Sequence, residues 1–329
     1  MSLFNKKKDT DYAYAVARVR SNELSLLTEA DTEQLIEAES YDAAMNKLAD
    51  LGWGEVSKDT DYASYLEDYF AKHWAFLEEI LDDIHELDLL LVQNDMQNLK
   101  AALKSLVLPT PVDGIYTQST VYDTAALTDA VKTKEWNELP DFMQEPAMEA
   151  YEVLTKTANG QLADAIIDKA TLERVLYLGN ATGSAVLANI AERKVATANI
   201  KNALRCAKTG KTKDFIERSL AECATLDKGN LVDAALAGQD AVLSYLEMTD
   251  YREGAEQFRE STSKFEKWCD DLLMECVSEA RYTPFGVEPI VAYYVARDAE
   301  VKTARIILSA KKNNLSADMI RERVRTLYV

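Results

Sequence analysis

The sequence predicts an all-α protein built from one helical module used three times. Gly (11 residues) and Pro (6 residues) are scarce in a chain of 329, so strong helix formers dominate and turn punctuation is thin. The helix around Asn98-Leu99-Lys100-Ala101-Ala102-Leu103 is met again as Asn199-Ile200-Lys201-Asn202-Ala203-Leu204 and, more loosely, as Glu300-Val301-Lys302-Thr303-Ala304-Arg305. Each copy follows the last by 101 residues, from 100 to 201 and from 201 to 302. The same offset carries Ala71, Trp74 and Ala75 onto Leu172, Val175 and Leu176, then onto Leu273, Cys276 and Val277. All are apolar at the i, i+3, i+4 spacing of one helix face.

In chain order, the first helix is expected over 11–27, on the stripe Tyr12, Ala15, Val16, Val19, Leu24 and Leu27. Thr28-Glu29-Ala30-Asp31 has the look of an N-cap and opens a short helix to about Glu37. Ser40 starts another, ended by Gly52-Trp53-Gly54. A long helix follows over 60–85, then the helix carrying Asn98, stopped by Pro109 and Pro111. A linker over 110–139 contains the Asp113-Gly114 turn signal and a Tyr122-Asp123 opening that echoes Tyr41-Asp42 and, more weakly, Val232-Asp233. Helices are then expected over 141–178, 184–208, 231–247, 251–281 and 287–312. Thr212 caps a short helix to Leu220, Thr283-Pro284-Phe285-Gly286 is a break, and Ser316 caps the closing helix. The modules divide as 1–115, 116–226 and 227–329. A period near 100 exceeds the roughly 20 to 50 residues of solenoids, so closure of three units around an axis suits it better than a stacked rod.

With 47% hydrophobic residues the chain can bury a large core. Its net charge of −19 argues against a nucleic-acid binder, which needs clustered cations for phosphate. The charge fits either a basic partner surface or simple solubility. Four cysteines (206, 223, 269 and 276) show no C-x-x-C spacing, so no zinc site or redox dithiol is expected, and a reducing compartment follows. No run approaches the roughly 20 apolar residues that span a bilayer, and no apolar region follows the N-terminal lysines. The expectation is a cytoplasmic protein that meets a membrane only through partners.

No catalytic or cofactor equipment is visible. Gly210-Lys211-Thr212 ends like a phosphate-binding loop, but the required earlier glycine is Arg205. Asp82-x-x-His85 lacks the second motif that a di-iron bundle uses, and His73 is the only other histidine. No G-x-S-x-G elbow occurs. The basic residues say more: Arg18, Arg20, Lys100, Arg193, Lys194, Lys201, Arg297, Lys302 and Arg305 lie on the repeated helices of an acidic chain. They are either solvated faces with i,i+4 partners or a polar inner wall that grips a partner.

Two terminal stretches resemble a known family. Tyr12-Ala-Tyr-Ala-Val-Ala-Arg-Val-Arg20, Leu26-Leu-Thr-Glu-Ala-Asp31 and Tyr41-Asp-Ala-Ala, with Glu288-Pro-Ile-Val-Ala-Tyr-Tyr-Val-Ala-Arg-Asp-Ala-Glu300-Val-Lys302 through Ile320-Arg-Glu-Arg323, are similar to the C subunit of the V-type/A-type ATPases, related to the vacuolar d subunit. The likeness spans the whole length, weakest over 109–190. It implies a funnel of three helical domains around a pseudo-threefold axis, without an active site or cofactor of its own. It further implies a central-stalk position on the cytoplasmic face, with the central-shaft subunits (D/F type) held in the mouth and the membrane rotor ring below. The competing expectation is a free-standing helical scaffold for soluble partners.

Overall fold

The computed structural model describes residues 8–57, 59–107, 116–117 and 119–329, and of Glu86 only the backbone. The turn signals at Pro109, Pro111 and Asp113-Gly114, and residues 1–7, lie outside that range. No strand occurs among the described residues. The helices are α1 (Ala13–Glu23), α2 (Glu29–Glu37), α3 (Tyr41–Asp50), α4 (Tyr62–Ile80), α5 (Asp88–Ser105), α6 (Thr124–Thr133), α7 (Asp141–Thr157), α8 (Gly160–Ala181), α9 (Ala185–Thr209), α10 (Lys213–Ser219), α11 (Lys228–Ala237), α12 (Gln239–Leu246), α13 (Arg252–Glu260), α14 (Thr262–Ser278), α15 (Glu288–Lys312) and α16 (Ala317–Arg321). They group into two compact units: a central one of residues 85–253, and a terminal one in which 8–84 join 254–329.

Side-chain caps set most helix starts. Thr28 accepts from Asp31 N while Asp31 returns the bond, and Ser40, Asp61, Asp123, Ser184, Thr212, Asp227, Ser261 and Ser316 each accept a backbone N–H in the first turn. The predicted caps at Thr28, Thr212 and Ser316 are therefore found. Several long helices are shorter than their apolar stripes suggest. The 60–85 helix ends at Ile80, with Leu81 extended. Glu78, Glu79, Asp82 and Asp83 crowd the negative end of its dipole. The 141–178 helix is two, α7 and α8, parted by Ala158 in the left-handed region (φ 52°) and restarted by Asn159, which accepts from Leu162 N. The 231–247 helix is broken at Gly238 (φ 123°), a backbone conformation that glycine adopts without steric cost. The 251–281 helix is broken at Ser261, and 11–27 is a 3-10 turn at Asp9–Tyr12 followed by α1.

In the terminal unit α15 is the axis. At 25 residues it is about 37 Å long, and α1, α2, α3, α4, α14 and α16 all pack on it. Leu35, Ile36, Met45, Leu48, Trp53 and Leu66 meet Ala304, Ile307 and Leu308 in one core. Thus the N-terminal helices and the last long helix bury each other's apolar faces. In the central unit α8 is the hub, touching α5, α7, α9 and α10. The α8–α9 hairpin closes tightly at Gly179, where an added Cβ would come 2.4 Å from Ala191 Cβ and 3.0 Å from Leu187 O.

Each unit also carries buried polar side chains that tie a loop to a long helix. In α5, Asn98 donates to Thr117 O (3.1 Å) and accepts from Thr117 N (2.9 Å), while Asp95 accepts from Val121 N and Tyr122 N. In α9, Asn199 donates to Ala221 O (2.8 Å) and accepts from Ala221 N (3.0 Å). In α15, Glu300 accepts from Leu27 N. These bonds satisfy peptide groups that would otherwise be buried without partners.

Candidate functional site

The nine basic side chains are spread over both units. Arg18 extends from α1 to Tyr14 OH (2.6 Å) and Glu79 (3.3 Å), with its guanidinium 5.5 Å from the Phe76 ring centroid. Arg20 pairs with Glu23 (2.8 Å) and donates to the carbonyls of Ala280 (2.5 Å) and Thr283 (2.9 Å), fastening α1 to the turn before α15. Lys302 bridges Asp270 (2.9 Å) and Asp298 (3.0 Å). Burial disfavours its charge, but Asp298 and Asp270 outweigh that and hold it above the ordinary lysine range. Burial likewise raises the Asp270 carboxyl, and Lys302 with Arg325 more than reverses it, leaving it below the usual carboxylate range. Arg305 is exposed.

Arg297 departs from the expected wall. Its side chain is 1% exposed and its two terminal nitrogens bond inside the terminal unit: to Glu300 (2.9 Å), Tyr69 OH (2.7 Å), Ser25 Oγ (2.6 Å) and the carbonyls of Asn22 and Ser25. A guanidinium so enclosed presents nothing to another protein, so its role is internal. The same cluster contains His73, whose Nδ1 meets Tyr293 OH (2.7 Å) and whose ring meets Tyr69 edge-on. Burial first, then Arg297 and Lys72, push the imidazole down to about 3. It is therefore neutral at pH 7, and its Nδ1 shares a hydrogen bond with Tyr293 OH in which the tautomer decides the donor.

In the central unit Lys100 reaches Asp168 (2.5 Å) and Lys104 reaches Asp164 (2.8 Å), joining α5 to α8. Arg193, Lys194 and Lys201 are half-buried on α9. Two further cations outside the nine, Arg205 and Lys208, are exposed on the same helix. With Lys194 and Lys201 they recur at i, i+7, i+11 and i+14, one face of a 3.6-residue helix, and that spacing is the signal by which the sequence could have shown them. Beside the stripe lies a cleft of about 190 Å³, lined among others by Asp164, Asp168, Asn202, Arg205, Lys211 and Phe215. The amine of Lys211 sits 4.9 Å from the Phe215 ring centroid.

The two partial motifs are ordinary. His85 Nδ1 lies 3.3 Å from Asp88, not in a metal-binding group. Among the described residues no three His, Cys, Asp or Glu side chains are placed to hold a metal ion, and no helix is long and apolar enough to cross a membrane. Gly210 is the left-handed C-cap of α9 (φ 61°) and Thr212 is the N-cap of α10.

Comparison with known proteins adds what geometry does not. The family model described as ATP synthase (C/AC39) subunit matches residues 15–323. The chain is 24% identical over 326 residues to the C subunit of the V-type sodium ATPase of Enterococcus hirae, covering 94% of this chain and 97% of that protein. It is 24% identical over 347 residues to the C subunit of the A-type ATP synthase of Methanocaldococcus jannaschii, covering 94% and 85%. To the C subunit of the A-type ATP synthase of Desulfurococcus it is 25% identical over 350 residues, covering 96% and 91%.

Proposed function

Since this chain belongs to the ATP synthase (C/AC39) subunit family, we propose that it is a non-catalytic central-stalk subunit of a rotary V/A-type ATPase. In this role it couples the central shaft to the membrane rotor ring from the cytoplasmic face, for ATP-driven ion transport or ATP synthesis. The observation that carries the reading is the family match over 15–323, together with relatives named as C subunits that align along nearly their whole length. The physical demand on such a part is stiffness, and helices of 22 to 25 residues packed side by side supply it.

The finer architecture belongs to the same proposal: three similar modules around a pseudo-threefold axis, forming a funnel. What supports it is the shared structural role of the residue that opens each copy of the repeated segment. Asn98, Asn199 and Glu300 are separated by the same 101 residues, and each binds the backbone of a segment that leads into a capped helix. Those segments follow the long helix in the first two cases. In the third the segment is Leu27, which supports a permuted variant of the division into 1–115, 116–226 and 227–329, with residues 8–56 completing the last module.

Grip on the shaft is assigned to the polar wall, with Arg18, Arg20, Lys100, Arg193, Lys194, Lys201, Lys302 and Arg305 as candidates and Arg297 withdrawn. Polar walls dock and release without the cost of exposing a large apolar face. Affinity for the isolated shaft complex should therefore fall as salt rises from about 50 to 300 mM, measured by calorimetry. Purification of the tagged chain from its own cells should bring the shaft subunits and the membrane ring with it. Recovery with neither, in complex with an unrelated soluble protein, would give the chain to the free-standing scaffold class.

A further inference from the structure

The cleft of about 190 Å³ in the central unit gathers charges of both signs and an aromatic face in one place. Asp164 and Asp168 come from α8, Arg205 from α9, Lys211 from the turn after α9, and Phe215 from α10. The two carboxylates are half-buried, and Lys104 (2.8 Å) and Lys100 (2.5 Å) already neutralise them. An ionised carboxylate offers about four acceptor positions, so one lysine apiece leaves capacity for hydroxyl groups. Lys211 gives one donor to Gln161 (2.5 Å) and lies over the Phe215 ring. Arg205 is exposed, and its guanidinium has no ion pair among the described residues. Both cations act on one point: burial raises the Cys206 thiol above its ordinary value, and Ser219, then Arg205 and Lys211, oppose that rise. Cys206 lines the same cleft, so the two positive charges converge there.

Helix packing does not demand this set. One offset of 101 residues later the same positions hold Phe265, Cys269, Ile306, Lys312 and Ser316. There Phe265 and Cys269 are buried core residues, where Asp164 and Asp168 line an opening. We propose that this cleft binds a phosphorylated polyol of monosaccharide size. Its phosphate meets Arg205 and Lys211, its hydroxyls meet Asp164 and Asp168, and its C–H face lies on Phe215. A bare anion would gain nothing from the carboxylates, and a neutral sugar would leave two cations unanswered. The volume is below the roughly 300 to 1,000 Å³ of sites for drug-sized ligands, which excludes a nucleotide held whole. A soluble sugar phosphate and the headgroup of a phosphatidylinositol lipid both present this chemistry.

The test titrates the intact chain by calorimetry with glucose 6-phosphate, ribose 5-phosphate, inorganic phosphate and glucose. Co-sedimentation with phosphatidylcholine vesicles, with and without phosphatidylinositol, forms the lipid arm. One of the sugar phosphates should bind saturably, at least about tenfold tighter than phosphate or glucose alone. Arg205→Ala and Lys211→Gln should each weaken that binding about tenfold. Lys208→Ala removes an exposed α9 cation that does not line the cleft, and should change it by less than about twofold. Circular dichroism melts check that each variant is folded. On the parent chain, the bound sugar phosphate should slow alkylation of Cys206 and leave that of Cys223 unchanged. Binding confined to phosphatidylinositol vesicles, and lost in the Arg205 and Lys211 variants, would assign the same site to a lipid headgroup. Phosphate bound as tightly as the sugar phosphates, equal loss in Lys208→Ala, or binding of none of these probes would overturn the proposal. The rotor reading stands or falls separately, on co-purification with the other ATPase subunits.

Discussion

Arg297 and Glu300 form a buried ion pair whose partners depend on each other. Burial drives the Glu300 carboxyl above the usual carboxylate range, and Arg297, the Leu27 N–H and Tyr69 OH oppose it. Removing the guanidinium strands a carboxyl in the core, so Arg297→Met should cost about 3–5 kcal/mol in chemical denaturation. Replacing both, Arg297→Met with Glu300→Met, should recover most of that loss, because no uncompensated charge remains. His73 gives a pH signature. Its folded value near 3 lies below the unfolded value of about 6.5, so the stability it lends is full above pH 6.5 and is lost as pH falls toward 3. His73→Gln keeps an acceptor for Tyr293 OH and abolishes the titration. Below pH 6.5 the parent should lose stability relative to this variant by up to about 1.4 kcal/mol per pH unit, followed in urea melts from pH 7 to 5. In sequence Arg297 looks like a surface cation because isolated charges on helices usually are. The clue was its setting: Tyr293, Val301 and Ala304 fall at i−4, i+4 and i+7, on the same buried face of α15, where its i,i+3 opposite charge is the natural internal partner.

At the level of elements, stripes and caps were readable while interruptions were not. Apolar periodicity persists across Ala158 and Ser261, so it cannot register a break that one left-handed residue or one capping hydroxyl produces. Asn159-Gly160 was a legible turn signal in the first case, whereas a lone serine in the second was not. Register was legible for a different reason: a side chain such as Asn98 or Asn199 must sit at a fixed height to meet one peptide group. Tight helix pairing makes its own demand. Gly179→Ala would gain about 1 kcal/mol of helix propensity. The new methyl, 2.4 Å from Ala191 Cβ and facing the Leu187 carbonyl, would force α8 and α9 apart. Net destabilisation of about 1–3 kcal/mol is expected by thermal or urea melts, with faster amide exchange on both helices. An unchanged or raised melting temperature would mean that the hairpin yields cheaply.

At the scale of the molecule, the contacts divide the chain into a continuous segment and a discontinuous one. Residues 85–253 should fold when expressed alone, with helical circular dichroism and a cooperative melt, because α8 gathers its neighbours from within that stretch. Residues 8–84 alone should not, since Leu35, Ile36, Met45 and Leu48 find their partners on α15. The sequence repeat could not announce this grouping: likeness between modules says which helices correspond, but not which of them a given loop is tied to. The dependence on α15 reaches back to the ribosome. Helices α1 to α4 emerge first, yet α15, which shields their greasy faces, begins only at Glu288, roughly 200 residues beyond Ile80. Nascent chains should therefore recruit chaperones through that long interval, and a stalled or truncated message should yield a sound middle flanked by a sticky leader.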